Sequence, residues 1–315
     1  MKKLKALSIL LVCLLALSLI SCEDSITVEG GGSGGGGGSA NGDYAPPGAG
    51  SDSGGGSANG AGSDSGGGSV NGGGSGGSGY FLFNPATGMI TGYTGPGGSV
   101  IIPASIDGRP VTSIGHAAFS RRQLTSVTIP NSVTFIGDSA FDANQLASIV
   151  IGNRVTSIGE FAFENNRLIS VIIPNSVTFI GEGAFLYNYL TSVTISNGVT
   201  RIEAFTFAFN FLTSVIIPNT VTSIERRAFS DNRLTSVTIP NTVIRIEDGA
   251  FAVNQLTSIT IGANVALGHN PSATDARLRY AFISSFDAAY NNGGRLAGTY
   301  TTGLANMAGA TWIRN

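Results

Sequence analysis

Ser126–Ala147 reads SVTIPNSVTFIGDSAFDANQLA, and Ser148–Ile169 reads SIVIGNRVTSIGEFAFENNRLI. Each stretch has 22 residues, and the two agree column by column. The frame restarts at Ser170, Ser192, Ser214 and Ser236, giving six uninterrupted copies that end at Thr257. An atypical copy over 99–125 precedes them, with five extra residues around Ile106–Pro110, and a degenerate one follows from 258 to about 267. A fixed period of this size marks a solenoid, and its end copies diverge because they must cap the stack. The architecture expected is therefore a β-rich solenoid of about eight 22-residue coils over 99–267.

The columns assign roles within a coil. Ile129, Ile151, Ile173, Ile195, Ile217 and Ile239 share one position, and Val or Ile stands two residues earlier, as in Val127 and Ile149. This alternation predicts a strand with one face inward. The intervening residue, Thr128, Val150, Ile172, Thr194, Ile216 or Thr238, faces out. Pro-Asn or Gly-Asn follows as a turn, then a second short apolar stretch at Val133 and Ile136. Gly137–Phe141 predicts one short helical turn, with Asp138, Glu160 and Glu182 at its N-terminus, where negative charge is favoured. Phe141, Phe163, Phe185, Phe207, Phe229 and Phe251 form a buried ladder. Asn144, Asn166, Asn188, Asn210, Asn232 and Asn254 form a second one, suited to satisfying turn backbone groups. One copy buries too little apolar surface to offset the entropy of ordering 22 residues, so the coils must stabilise one another.

Outside the repeats, Tyr80–Phe83 and Met89–Tyr93 flank Asn-Pro-Ala-Thr-Gly and predict a capping hairpin within 80–98. The tail, 268–315, reads as a C-terminal cap, with a helix over Leu278 to Tyr290 and short strands at Gly298–Thr302 and Ala310–Ile313. Leu-x-x-Val-x-Ile-Pro-x-x-Val-x-x-Ile-x-x-x-Ala-Phe resembles the BspA-type leucine-rich repeat. The opening from Tyr93-Thr-Gly through Ile106-Asp-Gly-Arg-Pro-Val-Thr-Ser-Ile-Gly, and the tail around Ala297-Gly298-Thr299-Tyr300-Thr301, are similar to that family too. Many family repeats carry Cys after Phe-x-x and are one residue longer. Here Asn stands there, which changes the turn and leaves the fold expectation intact.

The N-terminus predicts export. Lys2, Lys3 and Lys5 precede an apolar run from Ala6 to Ile20, the pattern of a secretory leader. That run is short for a membrane span, which needs about 20 apolar residues. Leu19-Ile20-Ser21-Cys22 resembles a bacterial lipobox, which implies removal of 1–21 and lipidation of Cys22. Residues 30–79 hold 25 of the 46 glycines, and SDSGGGSANGAG at 51–62 recurs nearly unchanged at 63–72. Such composition cannot bury enough apolar surface to order, so 22–79 reads as the anchor Cys followed by a flexible stalk.

Composition narrows the function. All three lysines lie in the leader, so 14 Arg face 19 acids in the mature chain and no basic stripe remains. A nucleic-acid partner is thereby disfavoured. The two cysteines, Cys13 and Cys22, both precede the repeats, which removes disulfides and Cys-metal sites from the body. The only histidines are His116, expected on the surface, and His269, expected in a loop leaving the solenoid. No P-loop, HExxH or dinucleotide fingerprint occurs, and no cofactor is expected. Glu203, Glu225 and Glu247 share a column and invite a divalent cation. Arg201, Arg226, Arg227 and Arg245 stand near enough to neutralise them instead.

The partner-like features lie elsewhere. Flanking the Asn ladder, mostly polar columns become Tyr187 and Phe209, and Tyr189 and Phe211, in the two central copies, with Leu186 and Phe205 nearby. Exposed apolar patches mark partner sites, and Tyr is common at binding hot spots. The alternative surface is the strand face at Ile172, Thr194, Ile216 and Thr238. The leader, the lipobox and the lack of catalytic motifs predict a non-enzymatic, membrane-anchored lipoprotein at the outer membrane or cell surface, and the family resemblance implies that it is adhesin-like, binding extracellular-matrix or cell-surface proteins. The other reading is a structural or glycan-binding envelope lipoprotein acting in cis.

Overall fold

The computed structural model describes residues 78–268, 282, 284–302 and 312–315. The leader, Cys22, the Gly-rich stretch and His269 lie outside the described residues. The described residues form a β-solenoid whose coils are 22 residues long.

Each coil contributes to parallel ladders. Longer strands at Leu124–Thr128, Ser148–Val150, Ser170–Ile172, Ser192–Thr194, Ser236–Thr238 and Ser258–Ile261 lie on one side. Where they pair they keep the repeat register, Ser126 with Ser148 and Ser170 with Ser192, but Ser148–Val150 and Ser170–Ile172 are not joined. Their alternate residues point inward (Val127, Ile129), and the residue between turns out, because successive side chains of a strand face opposite ways. Two-residue strands such as Phe135–Ile136, Ser157–Ile158 and Phe179–Ile180 make a second ladder.

The segment expected as a helical turn is a pair of tight turns. Ala140 N–H donates to Gly137 O, and Asp142 N–H to Ser139 O, each three residues back. Ser139 has φ 52°, in the left-handed region, so helical backbone cannot continue through it. The N–H groups of Ser139, Phe141 and Ala143 instead donate to Glu160, Ala162 and Glu164 of the next coil. This is a third set of bonds between coils. Asp138 does not cap a helix; its Oδ1 accepts from Glu160 N–H at 2.9 Å.

Phenylalanine fills the axis. Phe119, Phe141, Phe163, Phe185, Phe207, Phe229 and Phe251 are fully buried. Consecutive rings lie 4.9–5.7 Å apart, planes within 14°. Both ends are closed by rings from outside the repeat: Tyr93 stacks on Phe119 at 5.2 Å and Phe282 on Phe251 at 4.8 Å. Tyr93 belongs to an antiparallel hairpin of Phe81–Asn84 with Met89–Tyr93. In the tail, a helix spans Ser284–Asn292 and strand Gly298–Thr301 pairs antiparallel with Ser258–Ile261.

Two ladders break in the central coils. Phe179–Ile180 does not pair with Arg201–Ile202, and the strand expected at Ser214–Ile217 does not form. The first break coincides with a change of residue in one column. A Cβ on Gly181 would lie 2.6 Å from Glu160 N, so the Gly137, Gly159 and Gly181 column packs backbone on backbone. Glu203 ends that column and Glu225 and Glu247 continue it, so the pairing lapses where Gly gives way to Glu. Here the Phe185–Phe207 spacing reaches 5.7 Å, the widest in the ladder. The turn segment holds: Gly183 N–H still donates to Ala204 O, and Phe185 N–H to Thr206 O.

Candidate functional site

The Asn ladder fixes the turn from which the aromatics project. Asn188 Oδ1 accepts from Leu168 N–H at 3.1 Å, and its Nδ2 donates to Phe163, Phe185 and Leu186 carbonyls. With Asn188 locked inside, Tyr187 and Tyr189 on either side of it are turned outward, 42% and 48% exposed. Asn210 does the same for Phe211 one coil later, while Phe209 is half-buried.

The structure brings these four rings together as two pairs across adjacent coils. Tyr187 and Phe209 lie 4.6 Å apart, and Tyr189 and Phe211 lie 5.8 Å apart. Arg233, in the next coil, sits 4.3 Å over the Phe211 ring. Phe205 is half-buried beneath Arg226 and Arg227, at 5.2 and 5.6 Å. Leu186, grouped with the aromatics from sequence, is buried and presents nothing to a partner. Its column, which holds Ala208 and Ala252 in later coils, runs beneath the turn.

Tyr187 and Phe209 sit at strained backbone positions, as Ala143 and Val253 do in the same column. The column of Tyr187 has left-handed φ throughout: Ala143, Asn165, Tyr187, Phe209, Asp231 and Val253 lie between 52° and 55°. Asn and Asp tolerate this region, whereas a bulky side chain there carries strain of order 1–3 kcal/mol. Folding alone would favour Asn at 187 and 209. Phe161, not singled out from sequence, occupies a parallel left-handed column with Ser139, Gly183, Phe205 and Arg227. Aligning that column across copies would have revealed it.

An acid pair borders the edge. Asp142 and Glu164 occupy one column on consecutive coils, and Leu186 follows them. Burial pushes the Glu164 carboxyl up to about 7, with the Asp142 charge adding to it. Asp142 is also raised, chiefly by burial, while Arg121 opposes the shift. A carboxyl raised in the folded state binds more protons folded than unfolded. Its contribution is thus fullest below the unfolded value of about 4.5 and is lost as pH rises towards 7. Solvent screening at a half-buried carboxyl keeps the effect to about 1 kcal/mol. We expect Glu164→Gln to flatten the decline in stability between pH 4.5 and 7, read from denaturation midpoints; an unchanged slope would place its source elsewhere.

The other candidates fall as follows. On the strand face Ile172, Thr194 and Thr238 are exposed and Ile216 is 85% exposed, joined by Ile101 and Val150. Ile216 lies in the interrupted stretch, so this face is no continuous sheet. Arg201 bridges Glu203 and Glu225 at 3.2 and 3.1 Å, and Arg245 pairs with Glu247. Burial still raises the Glu203 carboxyl, against the lowering effect of Arg201. Arg226 and Arg227, expected to neutralise this column, lie over Phe205 instead. Among the described residues, no three His, Cys, Asp or Glu side chains gather as a metal-binding group. His116 is exposed.

Among solved structures, the chain is similar to a leucine-rich cell surface protein from Faecalibacterium prausnitzii A2-165, 32% identical, TM-score 0.48, over 61% of this chain and 57% of that one. It thus spans little more than half of that protein's length. It is also similar to a T. pallidum leucine-rich repeat protein, 31% identical, TM-score 0.35, over 41% of this chain and 75% of that one. A leucine-rich repeat protein from Bacteroides ovatus ATCC 8483 is 22% identical, TM-score 0.35, over 59% and 64%. No curated protein matches. The family described as BspA type leucine-rich repeat region matches in six copies, over residues 112–235 and 201–272, which together make up half of the chain. The chain belongs to the BspA-type leucine-rich repeat family.

Proposed function

We propose that the protein is a non-enzymatic surface scaffold, tethered through a lipidated Cys22, that binds extracellular-matrix or cell-surface proteins through its aromatic edge. The observation that carries this reading is the placement of Tyr187 and Phe209 at left-handed positions where aromatic side chains cost stability. Tyr189 and Phe211 extend the same patch, and exposed clusters of this kind mark interaction sites. The leader and the Leu19–Cys22 pattern support export and anchoring.

The test uses bacteria carrying the full chain, scored for attachment to a panel of immobilised matrix proteins. Changing Tyr187, Tyr189, Phe209 and Phe211 to Ser should cut attachment at least tenfold while the purified protein keeps its β-sheet circular dichroism. Cys22→Ser should abolish attachment by releasing the chain from the cell. Full attachment by the four-residue variant removes the aromatic edge as the site. No attachment by cells carrying the folded parent removes the adhesin role and favours an envelope-internal one.

A further inference from the structure

We propose that the aromatic edge receives an acidic peptide segment whose carboxylates are taken by Arg226, Arg227 and Arg233. The proposal rests on the binding role above and supplies the chemistry of the partner.

Three arginines of a single coil carry it. Arg201 and Arg245 are committed to Glu203, Glu225 and Glu247. Arg226, Arg227 and Arg233 instead contact Phe205 and Phe211, and among the described residues they pair with no carboxylate. Of the acids in this coil, Glu225 pairs with Arg201 and Asp231 has an interaction of its own. A guanidinium resting on a ring face is held in place with its N–H donors still unspent. Carboxylates bind such forks by two parallel hydrogen bonds.

The same geometry selects a peptide over a sugar. Sugars stack their C–H faces on aromatic ring faces. Here Phe211 lies between Tyr189 and Arg233, Phe209 packs with Tyr187, and Phe205 lies beneath two arginines. Ring edges and guanidinium N–H groups remain. Ring edges carry the positive rim of the aromatic quadrupole, which suits carboxylate and carbonyl oxygens. Along the solenoid a partner meets Tyr187 and Tyr189, then Phe209 and Phe211, then the three arginines. A segment with apolar residues followed by Asp or Glu matches that order.

The probe is a fluorescent synthetic peptide with leucines followed by glutamates, titrated with the full chain. It should bind, and weaken several-fold between 50 and roughly 300 mM salt, where exposed charges are screened. Arg226→Gln/Arg227→Gln/Arg233→Gln should weaken it at least tenfold and flatten the salt dependence. The thermal midpoint of that variant should stay near the parent's, since the guanidinium groups pack on the outside. A Gln-for-Glu peptide that binds equally well, or an unchanged affinity in the triple variant, overturns the proposal. So does heparin binding without peptide binding, which would assign the strip to a sulfated glycan. If the triple variant loses the peptide but keeps matrix attachment, the acidic-partner inference falls and the adhesin role stands. If the Tyr and Phe variant keeps attachment, the underlying role falls first.

Discussion

Phe163→Ala should cost about 3–5 kcal/mol of unfolding free energy, the range for a buried aromatic truncated to alanine. Phe163 is fully buried between Phe141 at 5.2 Å and Phe185 at 5.4 Å. Two features keep the gap from closing. Phe141 N–H donates to Ala162 O and Phe163 N–H to Ala184 O, both at 2.8 Å, so the coils cannot slide together. The neighbouring rings already face one another in parallel and cannot tilt into the void without leaving their own partners. Coils in a solenoid depend on their immediate neighbours, so the damage should stay local while lowering the cooperativity of the whole array. Phe163→Leu should recover about half of the loss, since it refills much of the volume. Guanidinium denaturation of the full chain gives the numbers. A loss below about 1.5 kcal/mol for the alanine variant would mean that the coils do close over the gap.

The 22-residue period carried most of the fold, because stacking makes every column an average over six copies. Ile129, Phe141 and Asn144 were each readable as inward-facing from recurrence alone. What the columns hid are features of one copy. Glu203 stands where the four preceding coils have Gly, and the ladder opens at that junction, after Phe179–Ile180. The left-handed φ of Tyr187 is equally invisible, since a backbone angle leaves no mark on the identity of an aromatic residue. Asn165 and Asp231 in that column do carry the mark, and Tyr187 and Phe209 are exceptions against it. The aromatic edge was therefore legible as an outlier in composition, and its strain only in the structure. Leu186 was misplaced because adjacency in sequence says little about facing within a tight turn. Four arginines were read by charge, and a ring face proved to hold two of them, Arg226 and Arg227.

Asn166→Leu should cost about 3–4 kcal/mol, although it adds apolar volume to the interior. Asn166 Oδ1 accepts from Leu146 N–H at 3.0 Å, and Nδ2 donates to the carbonyls of Phe141, Phe163 and Glu164. Those carbonyls keep other donors: Asn144 for Phe141, Asn188 for Phe163, and Ala143 N–H for Glu164. The N–H of Leu146 keeps none, and an orphaned buried donor costs about 1–3 kcal/mol before the lost amide bonds are counted. Asn166→Asp separates donation from acceptance. A carboxylate can still accept from Leu146 but faces three carbonyl oxygens with no proton to offer. The folded state therefore favours the protonated acid and raises its pKa above the unfolded value of about 3.9. With the folded value raised, stability is retained below about pH 4 and is lost as pH rises through the folded value. At pH 7 this variant should be no more stable than Asn166→Leu, and at pH 4 it should recover at least half of the difference from the parent. Denaturation midpoints at the two pH values decide it. If the aspartate variant loses the same amount at both, the three donated bonds contribute nothing, and the Asn ladder acts only through the single bond accepted from Leu146.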